Sequence, residues 1–121
     1  MSVKEIMSSP VVCTKNEVKI SHIKDQFSRK GIHAIPVLED DGTISGIISS
    51  SDLVACHDES LTAADIKSPK VHIAIPNHRI QDAANMMLKN DWHHLVVMEE
   101  GEVIGMVSTM DIIRYYVENQ H

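Results

Sequence analysis

Aromatic rings are scarce in this chain of 121 residues, which has one Phe, one Trp and two Tyr, at Phe27, Trp92, Tyr115 and Tyr116. The hydrophobic fraction is nonetheless 43%, so the core has to be aliphatic, built from Ile, Val, Leu and the seven Met. Positive charge is also short. Eleven Lys and Arg stand against seventeen Asp and Glu, and the net charge of -6 argues against a protein that tracks a nucleic-acid backbone with a basic face. The two cysteines, Cys13 and Cys56, form no CxxC pair and are expected to be buried apolar filler in a reducing compartment. No apolar run approaches the length of a membrane span, and the N-terminus lacks the apolar stretch of a signal peptide. A soluble, cytoplasmic protein without membrane contact is expected, ending in the polar tail Glu118-Asn119-Gln120-His121.

What the chain does have is an internal repeat. Shifted by about sixty residues, Val3–Asp40 lies over Ala63–Glu100 without a gap, matching Ile6 with Ile66, Ser8 with Ser68, Ile20 with Ile80 and His33 with His93. Dropping one residue at Asp41 then pairs Gly42 with Gly101, Gly46 with Gly105, Ser49 with Ser108 and Asp52 with Asp111. A repeat of this length sets the architecture before any single residue is weighed. Half of so short a chain would bury little surface alone, so two copies, residues 1–56 and 62–121, are expected to share the work of burial.

Each copy reads as β-α-β-β-α, an α+β fold. Ile80, Ala83, Ala84, Met87 and Leu88 recur at helical spacing and predict a helix over 79–90; Ile20, Ile23 and Phe27 predict its counterpart. Asn16 and Asn77 are plausible caps near the helix starts, and Gly31 and Asp91 stand just past the ends, where a left-handed residue is common. The short β-prone runs 32–38 and 92–98 follow as strands. Acidic turns ending at Gly42 and Gly101 reverse the chain into strands 44–49 and 103–108. Short helices start near Asp52 and Asp111, brief strands at 11–13 and 71–73 open the copies, and His57-Asp58-Glu59-Ser60 joins them.

The polar matches concentrate in two segments, Gly46-Ile47-Ile48-Ser49-Ser50-Ser51-Asp52 and Gly105-Met106-Val107-Ser108-Thr109-Met110-Asp111. A hydroxyl three residues before an acid, where a strand passes into a helix, is a capping box and needs no ligand. The glycine is not explained that way. Glycine in mid-strand often marks close approach of a ligand or another backbone. A helix N-terminus suits a phosphate, and an exposed aspartate can accept two hydrogen bonds from a ribose diol, so nucleotide binding and capping are both open and compatible.

These features together resemble the paired cystathionine-β-synthase (CBS) domains, or Bateman module, over nearly the whole chain. Val3-Lys4-Glu5-Ile6-Met7-Ser8 is similar to that family's opening segment, and Gly31-Ile32-His33-Ala34-Ile35-Pro36-Val37 to its G-I-x-x-L-P-V stretch. The two Gly-to-Asp segments are similar to its ribose-binding motif. The resemblance implies two repeats about a pseudo-two-fold axis and two clefts for adenosine nucleotides (AMP, ADP, ATP or related ligands). It also implies a homodimer and an attached or separate protein under regulation, whose identity it does not give. In the family each cleft is built crosswise. One would draw on Ser49, Ser51 and Asp52 with Ser68, His72, Trp92 and His93. The other would draw on Ser108 and Asp111 with Ser8, Val12, Ile32, His33 and Ala34. Met110 stands where the family often has a second hydroxyl, so the Asp111 site is expected to hold ribose less well. Val96 replaces the proline matched by Pro36, a change of backbone chemistry beside the second pocket.

Eight histidines invite a metal reading. Adjacent strand residues such as His93 and His94 point to opposite faces, however, and no His-x-x-x-His or acid–His cluster supplies ligand spacing. No metal or cofactor is expected. His33, His93 and His94 are each as compatible with a plain surface or core histidine as with a phosphate contact, and Trp92 with an adenine cover as with a core anchor. No nucleophile–base pair, P-loop or dinucleotide glycine pattern supports an enzyme. A non-catalytic regulatory module is expected. The alternative is a ligand-free module for interaction or dimerisation.

Overall fold

The computed structural model describes residues 1–119; Gln120 and His121, the end of the polar tail, lie outside the described residues. The chain forms two compact units, residues 12–71 and residues 1–11 with 72–121. The spatial unit therefore differs from the sequence repeat: each repeat's opening segment packs with the sheet of the other repeat.

In the unit of residues 12–71, β1 (Thr14–Lys15) is followed by α1 (Ile20–Lys30), the hairpin β2 (Ala34–Leu38) and β3 (Ile44–Ser49), α2 (Ser50–Ala55) and the one-turn α3 (Ala63–Ile66). β1 runs parallel to β2, which is antiparallel to β3. The other edge of β3 is bridged at Ile47 by Ser68, with both backbone hydrogen bonds at 2.9 Å. α1 buries Ile20, Ile23 and Phe27, the apolar stripe read from their spacing, against Ile35, Val37, Ile48 and Leu53. Cys56 belongs to this core, and burial pushes the half-buried Cys13 thiol up, in keeping with apolar filler.

The unit of residues 1–11 and 72–121 repeats the plan with a 3-10 turn (Val3–Glu5), β4 (Ile73–Ala74), α4 (Ile80–Asn90), β5 (His94–Glu99), β6 (Glu102–Ser108) and α5 (Thr109–Glu118). β4 is parallel to β5, β5 antiparallel to β6, and Ser8 bridges β6 at Met106. Val3, Ile80, Ala83, Met87, Leu95, Val97, Val107 and Ile112 lie in its core.

Several local expectations need correction. The helices α1 and α4 are capped by Lys19 and Arg79, neither through its side chain, and not by Asn16 or Asn77. Their first free N–H groups are already taken by carbonyls from other segments: Ile20 N donates to Leu61 O at 2.8 Å, and Ile80 N to Met1 O at 3.3 Å. Asn16 instead accepts from Lys67 Nζ at 2.7 Å. The opening strands begin later than 11–13 and 71–73, at Thr14 and Ile73. Proline explains the one-residue difference between the copies. Pro36 has no N–H to offer, whereas Val96 N donates to His72 O at 2.8 Å and extends the pairing of β4.

The expected helix ends hold. Gly31 and Asp91 both adopt the left-handed conformation, at φ 61° and 57°. The hairpins are present but unequal. Glu100 and Gly101, at φ 51° and 81°, make a two-residue turn of the kind that fits strand twist. The first hairpin carries the extra Asp41, whose Oδ1 accepts from Thr43 N and Oγ1 at 3.0 and 2.7 Å.

Candidate functional site

Both Gly-to-Asp segments leave a sheet and enter a helix, and in both the hydroxyl and the acid close a capping box. Ser49 N donates to Asp52 Oδ2 at 2.8 Å, and Ser108 N donates to Asp111 Oδ2 at 2.8 Å. The helix N–H groups answer: Asp52 N lies 3.4 Å from Ser49 Oγ, and Asp111 N 3.2 Å from Ser108 Oγ. The capping reading is therefore realised in full.

The glycines have a backbone explanation too. A Cβ on Gly46 would stand 2.8 Å from Ser68 O, and one on Gly105 would stand 3.0 Å from Ser8 O and meet the Met7 side chain. Close approach of another backbone, the bridging opening segment, requires glycine at both places. So the glycines that favoured a ligand over capping alone serve the fold. Their bridges do position two candidate residues. Ser68 is held beside β3 two residues before Ser49, and Ser8 beside β6 two residues before Ser108.

Beyond the shared frame the two carboxylates differ. Ser49 Oγ donates to Asp52 Oδ2 at 2.9 Å and also lies 2.9 Å from Ser51 Oγ, so Ser51 reaches the carboxylate through the Ser49 hydroxyl. Among the described residues every hydrogen bond to the Asp52 side chain falls on Oδ2, which leaves Oδ1 open to a further donor. Asp111 has partners on both oxygens, because Arg114 Nη1 reaches Oδ1 at 3.2 Å. Met110, in the place of Ser51, is exposed and adds no hydroxyl.

The remaining candidates divide by repeat. His72 and Trp92 stack face to face, with ring centroids 3.7 Å apart and planes 11° from parallel. Their counterparts Val12 and Ile32 are aliphatic and pack against the core of residues 12–71. His33 and His93 are exposed in equivalent places; their carbonyls accept from Ser50 N at 2.9 Å and Thr109 N at 3.1 Å. His93 Nε2 is 3.7 Å from Asp91 Oδ1. Ala34 is buried and pairs with Ser49 across β2 and β3. Each expected set draws on both units. Ser49, Ser51, Asp52, Ser68, Val12, Ile32, His33 and Ala34 belong to one, and Ser8, His72, Trp92, His93, Ser108 and Asp111 to the other.

Two further capping boxes went unread in the sequence. Ser2 N donates to Glu5 Oε1 at 3.2 Å, and Thr62 N to Asp65 Oδ2 at 2.8 Å. The hydroxyl-x-x-acid spacing at 2–5 and 62–65 was the signal for them. Among the described residues no group of three or more His, Cys, Asp or Glu could hold a metal ion, and no helix is long and apolar enough to cross a membrane.

Comparison with known proteins agrees with this fold. Protein MJ1426 of Methanocaldococcus jannaschii is 31% identical over 151 residues, covering 93% of this chain and 89% of that protein. Protein MJ1225 of the same organism is 27% identical over 116 residues, and the chain spans only 41% of its length. Among solved structures, the CBS domain pair of protein MJ0100, in complex with 5′-methylthioadenosine and S-adenosyl-L-methionine, superposes with a TM-score of 0.91. It shares 24% identity, covering 99% of this chain and 98% of that one. CBSX2 in complex with AMP gives 0.88 at 20% identity, with 99% and 98% covered. The CBS domain of a bacterial CNNM/CorC family Mg2+ transporter in complex with ATP gives 0.82 at 22% identity, with 97% and 87% covered. The family model for the CBS domain matches twice, over residues 3–58 and 63–118, and the chain belongs to the CBS-domain family as a tandem pair.

Proposed function

We propose that this CBS pair is a regulatory module that binds an adenosine nucleotide or a related adenosine ligand, with Asp52 and Asp111 on the ribose hydroxyls. CBS-domain pairs are non-catalytic regulatory modules, so the enzyme reading falls away with family membership. The observation that carries the ribose assignment is the open Oδ1 of Asp52, on a half-buried carboxylate at a helix start with Ser49 and Ser51 beside it. An ionised carboxylate with a spare oxygen accepts a hydroxyl donor without breaking an existing bond.

Ser68 and Ser8, held beside the two segments, are the proposed polar neighbours of the ribose. Val12, Ile32, Ala34, His72 and Trp92 are the proposed contacts of the base, with His33 and His93 exposed for a phosphate. Adenosine ligands in the MJ0100, CBSX2 and CNNM/CorC structures support the ligand class without choosing among its members. A homodimer in the cytoplasm, acting on a partner protein, completes the proposal. Exposed apolar side chains on α5 (Met110 at 55%, Ile113 at 53% and Val117 at 65%) support a covered helix face.

Mass spectrometry of small molecules released from natively purified protein tests the ligand class, with adenosine, AMP, ADP, ATP or an adenosyl thioether expected. A protein that releases none of these, and whose melting temperature none of them raises, is instead the ligand-free interaction module. Light scattering at micromolar concentration tests the dimer, and a monomeric mass would remove it.

A further inference from the structure

We propose that Arg114 is a lock on the second ribose site: it holds Asp111 Oδ1, and a ligand diol competes with it for that oxygen. The inference rests on the ribose reading of Ser108 and Asp111 given above. Arg114 Nη1 lies 3.2 Å from Asp111 Oδ1, while Ser108 N occupies Oδ2 at 2.8 Å. In the first repeat the position matching Arg114 is Ala55, and Asp52 keeps Oδ1 open. At Oδ1 the two sites thus differ by one intramolecular donor, Arg114.

The pair is built to open. Asp111 is nearly enclosed, its side chain 14% exposed, but Arg114 reaches it from solvent and is 58% exposed. The contact spans three residues along α5, so Arg114 releases it by a rotamer change without moving the helix. A pair of this kind shifts an equilibrium by about fivefold at most, enough to rank two sites and too little to close one. Salt screens its exposed partner and weakens the lock.

Neutral adenosine is the probe of choice, because it offers the diol without a phosphate to attract the arginine. Calorimetric titration of the full chain compares wild type, Arg114→Ala, Asp111→Asn and the double variant. Arg114→Gln keeps the side-chain stem as a second test should the alanine variant fold poorly. The lock predicts about two- to fivefold tighter adenosine binding when Arg114 is replaced, and no such gain where Asp111 is already Asn. It also predicts that added NaCl tightens adenosine binding to wild type but not to the Arg114 variants. Unchanged or weaker adenosine binding, or a gain that persists in the Asp111→Asn background, overturns it. Selective loss of AMP affinity with adenosine unchanged makes Arg114 a phosphate contact and overturns it as well. If wild type and every variant bind neither adenosine nor AMP, the nucleotide reading fails and the lock with it; binding that ignores Arg114 removes the lock alone.

Discussion

The two repeats share a scaffold and differ in how they treat their polar groups. In the first, Val12 and Ile32 are plain aliphatic packing, Pro36 withholds a backbone donor, and Asp52 keeps an oxygen open. In the second, the matching residues hold one another. Val96 N binds the His72 carbonyl, His72 stacks on Trp92, and Arg114 pairs with Asp111. Matching backbone constraints have kept Gly46 and Gly105 alike, since each lies under a bridging carbonyl. Where no backbone constraint acts, at Ser51 and Met110 or Ala55 and Arg114, the copies have diverged. Identity at the glycines therefore reports the fold, and the differences around the shared Ser and Asp set the two candidate sites apart.

Substitutions in matched pairs probe how far this division holds. The largest effect is expected in the cores, where Ile35 and Leu95 occupy equivalent, fully buried places on the central strands. Ile35→Ala and Leu95→Ala should each cost about 2–5 kcal/mol in urea unfolding, by lost transfer energy and the cavity left behind. Costs that differ strongly between the two would mean that the cores are less alike than the scaffold.

Next are the bridged glycines. Gly46→Ala should destabilise by about 1–3 kcal/mol, because its Cβ would press on a backbone carbonyl at 2.8 Å that cannot easily yield. Gly105→Ala should cost less, since its nearest neighbour is the flexible Met7 side chain and its carbonyl is at 3.0 Å. Equal costs would remove the distinction.

The aromatic stack offers a smaller effect. A double-mutant cycle with His72→Val and Trp92→Ile, the identities of the first repeat, should give a coupling of about 0.5–1.5 kcal/mol. No coupling would mean that the rings merely lie together.

The smallest effect separates the hairpins. Hydrogen bonds from Thr43 hold the Asp41 carboxyl below its ordinary value of 3.8, and the second hairpin has no counterpart of Asp41. A lowered folded-state value stabilises above the unfolded one, so this contribution is complete above pH 3.8 and is lost as pH falls through the folded value. Thermal melts of wild type and Asp41→Asn should therefore converge as the pH is taken below 3.8, and a constant offset would contradict this.

Much of the fold was legible because repetition and periodicity are local properties. Ile20, Ile23 and Phe27 announced α1 by spacing alone, and Gly31 its end. The exchanged opening segments were not legible, since backbone bridges from Ser8 to Met106 and from Ser68 to Ile47 leave no periodic trace. Their one sequence mark is the pair of mid-strand glycines, which the bridges require. Asn16 and Asn77 misled because a good capping residue is useless where a distant carbonyl already holds the helix N–H. Within the candidate site, the capping pair Ser49 and Asp52 was readable from spacing, and the missing hydroxyl of the second segment from Met110. Arg114 was in plain view three residues past Asp111, but its hold on that carboxylate depends on a rotamer that spacing does not fix.

We propose that the two aspartates bind ribose beyond capping their helices, Asp52 more strongly than Asp111. Calorimetry with adenosine nucleotides on Asp52→Ala and Asp111→Ala, read beside their melting temperatures, tests it most directly. Loss of a hydrogen-bonded charge is worth about 1.5–3 kcal/mol. Asp52→Ala is therefore predicted to weaken binding by roughly tenfold or more in protein that stays folded, with a smaller loss for Asp111→Ala. Lower melting temperatures with affinity unchanged in both variants would contradict the account and leave the two carboxylates as helix caps alone.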